Sequence, residues 1–289
     1  MAFIKMEGAG NDYVYVDGVG RPLPDLDWPE VARRVSDRRF GVGSDGLILI
    51  ARGERAPFRM IMFNADGSRG EMCGNGMRCL AFYVHAAGYT AAPEFEVETD
   101  GGPVRVAILE SGRRRGRVRV DMGPPRLEPE RIPTTLPGTP VVGAPLEVDG
   151  RTVRVAAVSM GNPHCVVFLD ENHFGAPLDG LDLEAIGPLF EHHPAFPQRV
   201  NTEFVEVEGP DRLRMRVWER GSGETWACGT GACAALVAAA LTGRSGRRAR
   251  VGVRGGELEV EWAAGGHVFL SGPAVEVFRG TFPVEEERV

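Results

Sequence analysis

Along most of the chain, apolar and polar residues alternate with a period of two in short runs, and glycine, proline or aspartate separates one run from the next. Runs at 95–99, 104–109 and 117–122, with turns at Asp149-Gly150, Gly209-Pro210 and Gly255-Gly256, predict antiparallel hairpins. Two segments break the pattern. Residues 74–87 and Gly229–Leu241 are rich in Ala, Leu and Met, have no internal proline and are closed by Gly88 and Gly243, so each predicts a helix. A third helix is expected at 28–39, with Pro29 in its first turn, and a short one at Leu183–Glu191.

The pattern also repeats. Gly10-Asn11 leads into a strand that ends at Asp17, and Gly161-Asn162 leads into one that ends at Asp170. DGSRGEMCGNGMRC (66–79) parallels RGSGETWACGTGAC (220–233), each carrying Gly-Ser, Gly-Glu, Cys-Gly-x-Gly and a second cysteine. The offsets agree, 151 between the asparagines and 155 between Cys73 and Cys228. Two halves of similar topology follow, each with a Gly-Asn strand and a helix that begins at Cys-Gly-x-Gly. The turn-rich stretch 122–145 holds seven of the 21 prolines and reads as the crossover between them. The expected division is 1–119, completed by 273–289, and 120–272, with a strand at 274–278 returning to the first half.

Composition narrows the chemistry. The chain has 289 residues and a net charge of −7, which argues against a nucleic-acid or anionic-membrane partner. Lys5 is the single lysine, so Schiff-base chemistry would have to run through it. The N-terminus lacks a secretory pattern and the longest apolar run, 232–241, is half a membrane span, so a cytoplasmic protein with reduced thiols is expected. Neither cysteine motif has the short spacing of structural zinc, and no metal site is expected among Cys73, Cys79, Cys165, Cys228 and Cys233. GVGSDG (41–46) is only a weak phosphate-loop signal.

Cys73 and Cys228 each stand just ahead of a helix. A helix N-terminus offers unpaired N–H groups and partial positive charge, which lowers a thiol pKa and binds a carboxylate. Two such thiols in matched halves suit proton transfer at an α-carbon, one removing a proton from one face and the other returning one to the opposite face. The helix-end amides would stabilise charge growing on the substrate carboxylate. Five of the six asparagines, Asn11, Asn64, Asn75, Asn162 and Asn201, lie in glycine-rich or strand-end motifs, whereas Asn172 does not. Ligand contacts and ordinary turn chemistry both fit any one of them. His164 fits a hydrogen-bonded strand histidine as well as a functional one, Glu219-Arg220 fits an exposed strand-end pair, and Cys79, Cys165 and Cys233 fit packed thiols.

KMEGAGNDYVYVD, FNADGSRGEMCGNGMRC, SMGNPHCVV and ERGSGETWACGTGAC together closely resemble the diaminopimelate epimerase family, with blocks in order from Phe3 to Gly272. The resemblance implies an α+β fold (α/β in the broad sense) of two pseudo-symmetric domains, each a β-barrel-like, mostly antiparallel sheet wrapped around a central helix. It implies a cofactor-independent isomerase that interconverts LL- and meso-diaminopimelate on the route to lysine and peptidoglycan, and a cytoplasmic homodimer acting on a small amino acid. Cys73 and Cys228 match the family's catalytic thiols, and His164 and Glu219 match residues that tune them. Asn11, Asn64, Asn162, Asn201, Glu219 and Arg220 match substrate-binding positions, as do the amides of Gly74-Asn75 and Gly229-Thr230. Phe278 falls where the family has a dimer-interface aromatic. Some members carry a substrate-contacting glutamine where this chain has Gly46.

Two other readings compete. A proline racemase or hydroxyproline epimerase shares a cysteine pair but has no distal ammonium and carboxylate to bind, which disfavours it given Glu219-Arg220 and the asparagines. A thiol redox or anion-binding protein would use the same helix ends with a disulfide as its working state.

Overall fold

The structure is a computed structural model and describes residues 1–284. Contacts within the chain divide it into two units, Met1–Val120 with the chain from Ser271 onward, and Asp121–Leu270. Of the expected return at 273–289, residues 285–289 lie outside the described part.

The first unit contains β1 (Ala2–Gly8), β2 (Asn11–Asp17), α1 (Trp28–Ser36), β3 (Gly46–Arg52), β4 (Phe58–Asn64), β5 (Arg69–Gly70), α2 (Gly74–Ala86), β6 (Glu94–Thr99), β7 (Gly102–Ser111) and β8 (Arg115–Asp121). Strand β1 is antiparallel to β2, β2 parallel to β3, β3 antiparallel to β4, β4 parallel to β6, and β6 and β7 antiparallel to their successors. The long strand β17 (Val268–Thr281) pairs with both β1 and β8, which closes eight strands into a barrel. Closure removes the free edges that an open sheet would expose.

The second unit contains β9 (Ala144–Val148), β10 (Arg151–Ser159), β11 (Pro163–Phe168), α3 (Leu183–Glu191), β12 (Asn201–Gly209), β13 (Arg212–Glu219), β14 (Gly223–Thr225), α4 (Gly229–Leu241), β15 (Arg248–Val253) and β16 (Gly256–Trp262). From β10 onward the pairings run antiparallel, parallel, antiparallel, parallel, antiparallel through β11, β12, β13, β15 and β16, the same order as from β1 to β7. The duplicated motifs therefore sit on a duplicated topology. The Asp149-Gly150 turn puts both residues at positive φ, 50° and 71°, as a two-residue hairpin demands.

Helices α2 and α4 are the buried centres of their units. Eleven of the 13 residues of α2 and ten of those of α4 are buried, so neither presents a solvated face. Gly88 and Gly243 end them in the left-handed region, at φ 78° and 72°, and the following amides, Tyr89 N and Arg244 N, bond back to Val84 O and Ala239 O. Helix α1 stops at Ser36, short of the expected 39. There the Asp37 carboxylate takes the N–H groups of Arg39 and Phe40 at 2.7 Å each and turns the chain. The 41–46 loop runs into a strand instead of a helix, which removes the geometry a phosphate loop needs.

Candidate active site

Cys73 and Cys228 are the N-cap residues of α2 and α4. Both have extended backbones, at φ/ψ of −128°/120° and −115°/112°, and each sulfur accepts the N–H three residues on, from Gly76 and Gly231, at 3.3 Å. A thiol thus takes the place of the serine or aspartate that usually caps a helix. The next two amides, of Gly74 and Asn75 and of Gly229 and Thr230, belong to the first turn, where the helix supplies no acceptor.

In the first unit the Cys73 thiol lies 3.5 Å from Asn11 Oδ1. The Asn11 amide is oriented from behind, because its Nδ2 donates to Asp45 Oδ2 at 2.7 Å. Asp45 belongs to a charge cluster with Asp12, Arg38 and Lys5. Burial opposes ionisation of Asp12, but hydrogen bonds and charge from Arg38 and Lys5 outweigh it and hold the carboxyl below its usual range. Burial, and then the Asp12 charge, push Asp45 up. Lys5, the one lysine, is buried and committed to Asp12 and the Gly43 carbonyl.

Asn75 and Asn64 serve differently from Asn11. The Asn75 side-chain Oδ1 accepts from Arg78 Nη1 at 2.7 Å, and Asn64 Nδ2 donates to Ser68 Oγ at 2.9 Å across the turn after β4. Arg78 is fully buried, its Nε bound to the Pro273 carbonyl at 3.0 Å. Gly46 stands opposite Asn64 in the strand register, and a Cβ there would lie 2.2 Å from the Phe63 carbonyl oxygen. The close backbone approach leaves no room for a Cβ at this position.

The second unit assembles more of the expected set. Cys228 Sγ lies 3.4 Å from Thr230 Oγ1, Asn162 Nδ2 donates to that oxygen at 3.3 Å, and His164 Nε2 is 3.0 Å from Asn162 Oδ1. Asn201 spans two backbones, donating to Pro163 O at 3.0 Å and accepting Arg220 N at 2.9 Å. Arg220 also donates through Nη1 to Gln198 O and lines a cleft of about 550 Å³ with Arg126, Arg131, Glu130, Ser159 and Gly161. Three arginines and one glutamate are among its lining residues, a balance that suits an anionic ligand. Glu219 accepts from Thr225 Oγ1 and contributes charge at Cys228.

The helix end does not lower the Cys228 thiol. Burial, then the charges of Glu219 and Glu203, push it well above its ordinary value, against the opposing Thr230 and Gly231 hydrogen bonds. Cys79, Cys165 and Cys233 are packed thiols: burial pushes Cys79 up to about 12, and burial and then Glu203 push Cys165 well up. Asn172 is structural, bonding Arg154 N and O and Phe168 O at 2.8–2.9 Å.

The sequence reading passed over Glu203. Its Oε1 lies 2.7 Å from His164 Nδ1, and both side chains have 0% exposure. The available signal was its position: an ionisable residue in a segment, 201–205, that is buried on both faces.

The diaminopimelate epimerase family model matches residues 3–128 and 156–277. The chain is 52% identical over 286 residues to a diaminopimelate epimerase of Moorella thermoacetica, covering 99% of this chain and 100% of that one. It is 54% identical over 281 residues to that of Desulforudis audaxviator, covering 97% and 98%. Among solved structures, a probable proline racemase from Agrobacterium radiobacter superposes with a TM-score of 0.70 at 16% identity, covering 99% of this chain and 94% of that one. A hydroxyproline epimerase from Agrobacterium vitis gives 0.67, also at 16% identity, covering 97% and 90%. The last two share the fold, whereas the family match and the close relatives share the sequence over nearly the whole length: this chain belongs to the diaminopimelate epimerase family.

Proposed function

We propose that the protein is a cofactor-independent isomerase that inverts one α-carbon of diaminopimelate, LL to meso, in the synthesis of lysine and peptidoglycan precursors. The observation that carries this reading is the matched pair of capping thiols, each at the first turn of a buried helix in a chain of this family. One cysteine, as thiolate, takes the α-proton. The electron pair left on carbon delocalises into the carboxylate, whose growing charge is met by the first-turn amides of Gly74-Asn75 and Gly229-Thr230. The other cysteine, as thiol, gives its proton to the opposite face, and the product leaves with the two thiols in exchanged protonation states.

Arg220, which lines the cleft, is assigned to the distal carboxylate, and Glu219 to the distal ammonium. Asn11, Asn64, Asn162 and Asn201 are assigned to orienting substrate or the groups that hold it. A cytoplasmic homodimer completes the reading. It is supported by five thiols, by the absence of a helix long and apolar enough to cross a membrane among the described residues, and by Val277 and Phe278, which leave 45% and 43% of their surface exposed on β17.

Turnover of the wild type, Cys73→Ala, Cys228→Ala and Arg220→Met on diaminopimelate and on proline tests the assignment. Either cysteine variant abolishes inversion, Arg220→Met raises KM by about tenfold or more, and proline is not turned over. Full activity in either cysteine variant, or a preference for proline, overturns it.

A further inference from the structure

Glu203 is a charged-type side chain with no exposure, in contact with one that has none. Burying both costs several kcal/mol unless they share a proton or pair as ions. They meet at 2.7 Å through one oxygen only, since Glu203 Oε2 is among the few buried polar atoms without a hydrogen-bond partner in the described residues. A buried orphan oxygen is a standing cost that asks for a reason.

Packing does not supply the reason. By the repeat, Tyr15 in β2 corresponds to Val166 in β11, and in the parallel registers Tyr15 pairs with Ile48 while Val166 pairs with Glu203. Ile48 and Glu203 also hold the same place under the helix start. A Cβ on Gly76 would meet Ile48 Cδ1 at 2.6 Å, and one on Gly231 would meet Glu203 Oε1 at 2.5 Å. The same fold position is thus filled by isoleucine in one unit and by an ionisable group in the other.

From Glu203 a continuous line of hydrogen bonds runs to the sulfur: Glu203, His164, Asn162, Thr230, Cys228. The donor inventory gives it a direction. Asn162 Nδ2 donates to Thr230, so its Oδ1 faces His164 and can only accept. His164 Nε2 therefore carries hydrogen, and a further proton sits between Nδ1 and Glu203 Oε1. Thr230 Oγ1, accepting from Asn162, meets Cys228 Sγ at 3.4 Å, where either group can donate.

We propose that Glu203 is a positioning residue for the epimerisation: its short contact to His164 Nδ1 fixes the ring, the Asn162 amide and the Thr230 hydroxyl, and so the sulfur that exchanges protons with the α-carbon. The role rests on the epimerase reading above. Two variants of the full chain test it. Glu203→Gln keeps shape and removes the acid, and Glu203→Ile copies Ile48, so folding is preserved. Histidine-ring NMR of the wild type shows a strongly deshielded proton between His164 and the carboxylate. The signal is absent in both variants, and their kcat falls by about 100-fold with KM little changed. An unaltered His164 signal, or wild-type kcat in both variants, overturns the role. If the wild type itself does not exchange the α-proton of diaminopimelate, the functional reading fails, and a His164 signal that disappears in both variants still supports the pairing.

Discussion

His164 Nδ1 and Glu203 Oε1 lie 2.7 Å apart where neither side chain reaches solvent, and the carboxylate lies against the first turn of the Cys228 helix. The two units therefore differ where it matters for proton transfer. Beneath Gly76 is a hydrocarbon that can rotate; beneath Gly231 is a carboxyl group tied to an imidazole.

That difference predicts unequal outcomes for the same substitution. Gly76→Ala displaces only the Ile48 methyl, so its packing cost of about 1–3 kcal/mol is partly offset by the gain of alanine in a helix, and activity is largely kept. Gly231→Ala pushes Glu203 off His164 and lowers kcat by about tenfold or more. Melting curves and kcat for both variants check this, and equal losses of kcat would contradict it.

Asn172 should behave as a structural residue, unlike the motif asparagines. Its side chain satisfies the Arg154 N–H and two backbone carbonyls, so Asn172→Ala is expected to cost about 1–3 kcal/mol in denaturant unfolding while leaving kcat per folded molecule unchanged. A lowered kcat with unchanged stability is the opposite result.

Stability should fall in alkali. The folded protein holds Cys79 at about 12, and holds Cys165 and Cys228 well above their ordinary value of 9.0. Below pH 9 both states keep these protons and the contribution is fully present. Above it the unfolded chain releases them while the folded one does not, so the contribution is lost as pH rises toward the folded values. The denaturation midpoint is expected to decline from about pH 9 upward, less steeply in Cys79→Ala; an unchanged slope in that variant argues against the Cys79 contribution.

Much of this was legible in the sequence because it was written twice and locally. Cys-Gly-x-Gly followed by Ala- and Leu-rich runs, with a terminating glycine, marks both central helices through backbone chemistry alone. The α1 end was misplaced because Asp37 acts as a turn residue through its side chain, which periodicity does not register. Barrel closure depends on β17 pairing with β1, residues more than 260 positions apart, and no local pattern encodes a register of that span. At the site, Asn162 and His164 stood out by motif, but Glu203 did not: in NTEFVEVE it reads as one more polar position on an alternating strand. Only the parallel register of β11 and β12 brings it beside His164. The rise of the Cys228 pKa was hidden as well, since the helix end is a local feature while the burial that raises the thiol, and then the charges of Glu219 and Glu203, come from the folded surroundings.

The most direct test of the central claim is epimerisation of LL-diaminopimelate in heavy water by the purified, reduced protein without added cofactor. Two thiols acting from opposite faces place one solvent deuterium at the inverted α-carbon of the meso product, while substrate recovered at early times stays unlabelled. Inversion that retains the original hydrogen, or equal label in product and recovered substrate, would contradict the two-thiol account.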